Sequence, residues 1–315
     1  MRIAFLGTPN FAVAPLAALH AAGHELVRVI AQPDRPSGRG NKLQVPPTIV
    51  WAREHGIPTS QPTRVRSGEF VTEMTSSHLD LAVVVAYGRI LTPEVLAGPR
   101  LGCINVHASL LPRWRGAAPI QWALLSGDTE TGVCCQQMAA GLDTGDILSE
   151  ARTQIGPEED HEQLASRLSA MSAPLIVDTV ARLSELKVAP QDEARVTYAR
   201  ILQKEDGRLH FELPAATLHA RIRGLRGWPG AFTSFRGELL KVHSVSVLPG
   251  APAGLAPGTL LPGGRVVCGD GMLHLREVQL PGRKAVSGLD FYNGARVAPG
   301  ERLGENSEAP AEDPR

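Results

Sequence analysis

Cysteine is scarce in this 315-residue chain: Cys103, Cys134, Cys135 and Cys268 show no C-x-x-C spacing. That pattern excludes a disulfide-stapled fold and a cysteine-based metal site. Cys103 and the Cys134–Cys135 pair fall in apolar, strand-like runs, so a reduced, cytoplasmic setting is expected. Net charge is missing too, since 32 Lys and Arg balance 32 Asp and Glu. No global basicity points to nucleic acid, although a neutral total can hide opposed patches. No run approaches the roughly 18 apolar residues of a membrane span. The opening MRIAFLGTPNFAVAPLAALHAAG looks like a secretion signal at first, but Thr8, Pro9 and Asn10 cut its apolar stretch short and none is expected. There is no internal repeat. The glycines of a dinucleotide-binding turn are absent as well: FLGTPNFA keeps Gly7 but has Pro9 and Ala12 where others would stand. Close backbone approach to a pyrophosphate is poorly served, which disfavours NAD. The turn then reads either as a plain strand-to-helix connection or as a loop lining a substrate site.

What is present is an ordinary hydrophobic fraction, 43%, in a chain long enough for one large domain and a smaller one. Residues 2–6 form an apolar strand, Phe11 to Ala22 an Ala/Leu-rich helix, and HELVRVIAQ (24–32) a second strand, which makes a first βαβ unit. VPPTIVWAREHG and GEFVTEMTSSHLD read as helices. LAVVVAYG (81–88) is the near-continuous apolar run of a strand buried on both faces. GCINVHAS, TGVCCQQMA and DILSEARTQI are further strands, AAPIQWALLSG is a helix, and a long amphipathic helix is expected from about Asp160 to Glu185.

This alternation predicts a doubly wound α/β domain over 1–188. A polar, charged linker follows over 189–208. Over 209–304 the short β-type segments AFTSFRG, LLKVHSVSVL, GTLLPGG, RVVCGDG and MLHLREVQL, punctuated by Gly and Pro, predict a small β-barrel. Residues 206–304 hold 12 Lys and Arg against 7 Asp and Glu, a net of +5. The last stretch, 305–315, is acidic and expected to be disordered.

Polar residues embedded in this pattern carry the chemistry. Asn105 and His107 lie two apart in a strand and so project to one side, about 7 Å apart at ~3.3 Å rise per residue. A carboxamide can donate to a developing oxyanion and an imidazole can exchange protons near neutrality. On its own N-x-H reads equally as a satisfied buried pair. The expected place of the strand, with its carboxyl end at the edge where open α/β sheets bind ligands, favours a site. AAGLDTGDIL (139–148) adds Asp143 between glycines, either as an Asx-type turn or as a carboxylate that orients the imidazole and accepts a proton. Arg113 and Arg115 read as solvated loop charges or as groups near a substrate. DRPSGRGNK (34–42) has three cations and no apolar anchor, the composition of a flexible basic surface loop.

Asn105-x-His107 followed by Ser109-Leu110-Leu111-Pro112, with Arg115-Gly116-x-x-Pro119 and Gly141-Leu142-Asp143-Thr144-Gly145-Asp146, resembles the folate-dependent formyltransferase family. The similarity runs through AQPDRPSGRGNKL, AYGRIL, TYARILQKEDGRLHF and GWPGAFTSF to about Leu303. It shows no departure at the three family active-site positions; Cys134–Cys135 and Trp122 are unusual and would affect packing. The resemblance implies a Rossmann-like formyltransferase domain followed by an OB-like barrel. It implies formyl transfer from 10-formyltetrahydrofolate to the free amino group of methionine on initiator tRNA, by a cytoplasmic monomer that needs no metal. In that reading Asn105 and protonated His107 stabilise the oxyanion, and Asp143 keeps His107 charged and helps remove the amine proton. Ser109, Leu110, Leu111, Pro112 and Gly141 border the folate, as do Arg89, Ile90 and Leu91 at a strand end. Arg35, Arg39 and Lys42 meet the tRNA, and the basic barrel adds phosphate contacts through Arg221, Arg223, Arg226 and Lys241. Three rivals are a formyltransferase for a small amine, a dinucleotide-dependent oxidoreductase and a noncatalytic RNA-binding protein. The first has no need of the basic loop and barrel, the second lacks its glycines, and the third has no use for the Asn/His/Asp set.

Overall fold

The computed structural model describes residues 1–37 and 42–304. They form two compact units. The first takes Met1–Ile120, Thr129–Ile155 and Gln163–Ile201; the second takes Gln121–Asp128, Gly156–Glu162 and the chain from Leu202 on.

In the first unit β1 (Arg2–Gly7) leads through α1 (Val13–Ala21) to β2 (Glu25–Ile30). Where a flexible loop is expected over 34–42, the chain instead contains two short antiparallel strands, β3 (Arg35–Ser37) and β4 (Lys42–Gln44), with Pro36 opposite Leu43. Residues 38–41 between them lie outside the described residues. Then come α2 (Pro47–Glu54), β5 (Thr59–Ser60), α3 (Gly68–Ser76), β6 (Leu81–Val85), α4 (Pro93–Leu96) and β7 (Cys103–His107). Ser67 and Thr92 cap α3 and α4, each side chain accepting from a backbone N–H of the first turn. A two-residue strand, β8 (Arg115–Gly116), precedes α5 (Pro119–Leu125), β9 (Glu130–Gln137), β10 (Ile147–Gln154) and α6 (His161–Ala181); residues 121–125 of α5 and the first two residues of α6 belong to the second unit.

Seven strands make one sheet in the order β10-β9-β7-β6-β1-β2-β5. The five from β7 to β5 pair in parallel, whereas β9 runs antiparallel to β7 and β10 antiparallel to β9. Every residue of the LAVVV run in β6 is buried, as a central parallel strand covered on both faces requires. The long helix keeps Leu164, Leu168, Ser172, Ile176 and Val180 buried at helical spacing. The segment 189–201, polar enough to read as linker, belongs to this unit: β11 (Tyr198–Ala199) pairs in parallel with β8, Tyr198 beside Arg115 and Ala199 beside Gly116.

The second unit contains α7 (Ala215–Gly224), then β12 (Phe232–Phe235), β13 (Glu238–Leu248), β14 (Leu260–Leu261), β15 (Arg265–Val267) and β16 (Met272–Gln279), and α8 (Gly288–Gly294). The strands form one antiparallel sheet in the order β12-β13-β16-β15-β14, the five-strand complement of an OB-like unit. Helix α7, absent from the sequence expectation, packs on β13 with Leu218 and Ile222 buried. Its arginines are turned to internal use. Arg223 Nη1 donates to the carbonyls of Glu159 (2.7 Å) and Gly156 (3.3 Å), and Arg221 donates to the Asp206 carbonyl. Burial pushes the Arg223 pKa down. Of the four cations proposed for phosphate, Arg221 and Arg223 are therefore occupied within the unit. Arg226 pairs with Asp160 at 3.3 Å, and Lys241 is exposed.

Candidate active site

Strand β7 sets two side chains of its buried run into one polar cluster. Asn105 is 9% and His107 6% exposed, and both reach the same carboxylate, Asp143. Asn105 Nδ2 donates to Asp143 Oδ1 at 3.3 Å, and His107 Nδ1 stands 3.7 Å from that oxygen. On the other edge of the ring, His107 Nε2 lies 2.8 Å from the Trp114 carbonyl. A carbonyl can only accept, so Nε2 carries a hydrogen, and Nδ1 is the nitrogen left to face the carboxylate.

Asp143 is held from several sides. Oδ2 accepts from the Gly116 N–H at 2.9 Å, and Oδ1 accepts from Gln136 Nε2 at 3.0 Å as well as from Asn105. Gln136 sits on β9 directly opposite Asn105. Asp143 has φ 51° and Trp114 φ 64°, left-handed conformations that non-glycine residues adopt at a cost and that gather at functional sites. Two glycines make the close approach possible. A Cβ on Gly116 (φ 124°) would lie 2.6 Å from the Ala199 carbonyl oxygen, and one on Gly145 would lie 1.6 Å from that of Gln137. A side chain at either place would push apart the backbones that carry Asp143 and its partner.

Arg115 is not the solvated or substrate-facing loop charge its neighbours suggest. It is 2% exposed, with Nη1 and Nη2 on Glu193 (3.2 and 2.7 Å) and Nε on Gln191 Oε1 (2.9 Å). Its bonds to Glu193 push the Arg115 pKa up, and the same bonds hold the Glu193 carboxyl down. Arg113 is exposed, with its guanidinium over the Trp114 ring at 4.4 Å. Gln136, Gln191, Trp114 and Gly116 escape a reading of the sequence. Gly116 leaves a signal there only as part of the Arg115-Gly116-x-x-Pro119 motif, and Gln136 only as a polar residue late in an apolar strand run.

The residues expected around the folate divide into a wall and a turn. Ser109 is fully buried and its hydroxyl donates to the Arg113 carbonyl at 2.6 Å, closing the Leu110-Leu111-Pro112 turn, in which Leu111 is buried. Arg89, Ile90 and Leu91 do not sit at a strand end. β6 stops at Val85, because Ala86 (φ 48°) and Gly88 (φ 73°) bend the chain out of the sheet. Gln32 Nε2 holds that bend through the Tyr87 and Gly88 carbonyls, at 2.8 and 3.1 Å. Beyond it Ile90 is 65% exposed and Leu91 buried. Gly141 is exposed in the loop before Asp143. Of the tRNA candidates, Arg35 is exposed and donates to Gln32 Oε1, Lys42 opens β4, and Arg39 lies outside the described residues. Among the described residues no group of three or more His, Cys, Asp or Glu is arranged to hold a metal ion, and no helix is long and apolar enough to cross a membrane.

Residues 1–180 match the family described as Formyl transferase, and residues 201–296 match Formyl transferase, C-terminal domain. A curated relative from Geobacter metallireducens, named methionyl-tRNA formyltransferase, is 47% identical over 310 residues, covering 96% of this chain and 99% of its own. One of the same name from Anaeromyxobacter dehalogenans is 50% identical over 307 residues, covering 94% of this chain and 97% of its own. Among solved structures, an N-formyltransferase from Helicobacter canadensis in complex with folinic acid and dTDP-3-aminofucose is similar with a TM-score of 0.67. It is 16% identical and covers 89% of this chain and 99% of its own. HypX from Aquifex aeolicus in complex with tetrahydrofolic acid is similar with a TM-score of 0.58 at 15% identity, over 93% of this chain and 47% of its own. At those identities the likeness is one of fold.

Proposed function

Because the chain belongs to the formyl transferase family, and its relatives over nearly its full length are methionyl-tRNA formyltransferases, we propose that it formylates methionine on initiator tRNA with 10-formyltetrahydrofolate as donor. The observation that carries the site is the meeting of Asn105, His107 and Asp143 on one oxygen, Asp143 Oδ1, in a largely buried cluster.

The folate supplies the formyl group, and the methionine amine is the nucleophile. The chain's own residues then have separate work. As the amine adds to the formyl carbon, negative charge gathers on the formyl oxygen. The Asn105 amide and the His107 ring are the donors available to it. One preorganised donor of this kind is worth about 2.7–4 kcal/mol in the transition state. The Nε2–H of His107 is committed to the Trp114 carbonyl, so the proton this ring can offer or take is the one on Nδ1. Asp143, fixed by Gly116 and Gln136, accepts the proton that the attacking amine must lose, directly or through water; the oxyanion then collapses, the bond from the formyl carbon to N10 of the folate breaks, and N10 takes up a proton as tetrahydrofolate leaves. No covalent enzyme intermediate is required.

Two features support an RNA-borne amine over a small one. The chain carries the C-terminal formyl transferase domain over 201–296, and residues 206–304 hold 12 basic against 7 acidic side chains. We assign catalysis and the folate to the first unit, phosphate contacts to the second, and the cytoplasm as the setting, in keeping with four buried free cysteines. The deciding measurement is formyl transfer from 10-formyltetrahydrofolate to methionine-charged initiator tRNA, with uncharged tRNA and free methionine as controls. Transfer confined to the charged tRNA is expected. No transfer there, together with formylation of an amino-sugar nucleotide, would overturn the reading.

A further inference from the structure

Behind Asp143 lies a chain of polar contacts, centred on the buried Arg115, that the reaction itself does not use. It begins at Glu193, passes through Arg115, and ends in the amide of Gln191. Arg115 Nε can only donate, so the atom 2.9 Å from it must be the Gln191 oxygen, which fixes the orientation of the amide. The two hydrogens on Gln191 Nε2 are then accounted for by the carbonyls of Asp143 at 2.8 Å and Gly145 at 2.7 Å. A glutamine held at its oxygen by a buried arginine thus pins the backbone of the Asp143 loop at two points, inside a stretch where Asp143 itself has φ 51°.

The same arginine bears on the carboxylate. Arg115 belongs to β8, and the next residue, Gly116, donates its N–H to Asp143 Oδ2. β8 is in turn fixed by the 190s segment: the Arg115 N–H donates to the Thr197 carbonyl at 2.9 Å, and the Trp114 N–H to Thr197 Oγ1 at 2.9 Å. Trp114 supplies the carbonyl that holds His107. Side chain and backbone of Asp143, and the ring of His107, therefore all trace back to residues 191–199.

We propose that Gln191, braced by Arg115, is a positioning residue for Asp143, and that the segment 191–199 is a strap which sets the catalytic geometry. The proposal rests on the catalytic reading of Asp143 given above. Its energetic logic is preorganisation: a carboxylate displaced by a fraction of an ångström meets the amine badly.

The test is a double-mutant cycle in the full chain with 10-formyltetrahydrofolate and charged initiator tRNA, both saturating. Gln191→Met keeps length and volume but removes both N–H donors. In the otherwise native chain kcat should fall about tenfold with both KM values within about twofold of native. In an Asp143→Asn background, where there is no carboxylate left to misplace, Gln191→Met should cost less than about twofold. A merely structural Gln191 would cost the same factor in both backgrounds, and that result overturns the proposal, as does an unchanged kcat in the native background. Native turnover by Asp143→Asn alone would overturn it differently, by removing the catalytic reading of Asp143. Thermal melts check folding. If Gln191→Met does not fold, Gln191→Glu, which keeps an oxygen for Arg115 Nε and removes the two N–H donors, carries the same comparison.

Discussion

His107 and Asp143 face each other at 3.7 Å, Nδ1 to Oδ1, with the far nitrogen of the ring tied to the Trp114 carbonyl. The imidazole is thereby a one-sided proton carrier, and the carboxylate is its neighbour on the working side. Asn105→Ala, His107→Ala and Asp143→Ala should each lower kcat/KM for formyl transfer by at least about a hundredfold, the scale of a lost oxyanion donor or acid/base group. Asn105→Ala and His107→Ala leave Gly116 and Gln136 on Asp143, so their melting temperatures should stay close to native. A folded His107→Ala or Asp143→Ala protein with near-native turnover would remove the assignment.

The parts of this site that the sequence displays are those set by period and by turn chemistry. Asn105 and His107 are legible because alternation in a strand sends both to one side, and Asp143 because glycines bracket it. The α/β core is legible from runs such as LAVVV, which only a doubly covered strand would carry. The supports are not legible, because they depend on long-range placement. Gln191 and Asp143 are 48 apart in sequence, and Thr197 and Trp114 are 83 apart. A polar stretch such as 189–201 reads as linker because nothing local distinguishes a solvated glutamine from one clamped by a buried arginine. Helix α7 is hidden for a related reason: its arginines read as a charged surface, while two of them bond carbonyls within the unit.

The cysteines supply a second prediction. Burial pushes the thiols of Cys103, Cys134 and Cys268 up to about 12, and that of Cys135 upward as well. The thiolate is the nucleophile, so at pH 8 almost none is available in the folded chain. A disulfide reagent at pH 8 should find no fast-reacting thiol until denaturant is added, and then all four. A stoichiometric fast phase in native buffer would contradict the buried placement.

Acid sensitivity follows from the second unit. Burial, the largest cause, holds the pKa of His161 below 6.5, and its Nδ1 has no hydrogen-bond partner among the described residues. His219 is lowered in the same way. Below pH 6.5 the unfolded chain binds protons that the folded chain refuses, so stability is lost as pH falls through 6.5 and levels off once the folded-state values are reached. Urea midpoints should therefore drop between pH 7.5 and 5.5, and His161→Gln should show a smaller drop than the native chain. An equal drop in the variant would assign the effect to other groups.

Charge in the 34–44 hairpin separates recognition from chemistry. Its strands pair Arg35 with Gln44 and Ser37 with Lys42, and Leu43 is 69% exposed, so little apolar surface is invested there. Neutralising Arg39, in the stretch between the strands, together with Lys42 should leave the thermal melt and folate binding close to native. The tRNA reaction should suffer. If these cations only attract the phosphate backbone, ground state and transition state gain equally, and Arg39→Ala/Lys42→Ala raises KM for tRNA with kcat intact. If their contacts are made only as the charged acceptor end reaches Asn105, they help hold the amine in its reacting position and kcat falls as well. A tRNA titration at saturating folate distinguishes the two. We expect both parameters to change; native kcat and KM together would remove the hairpin from the tRNA site.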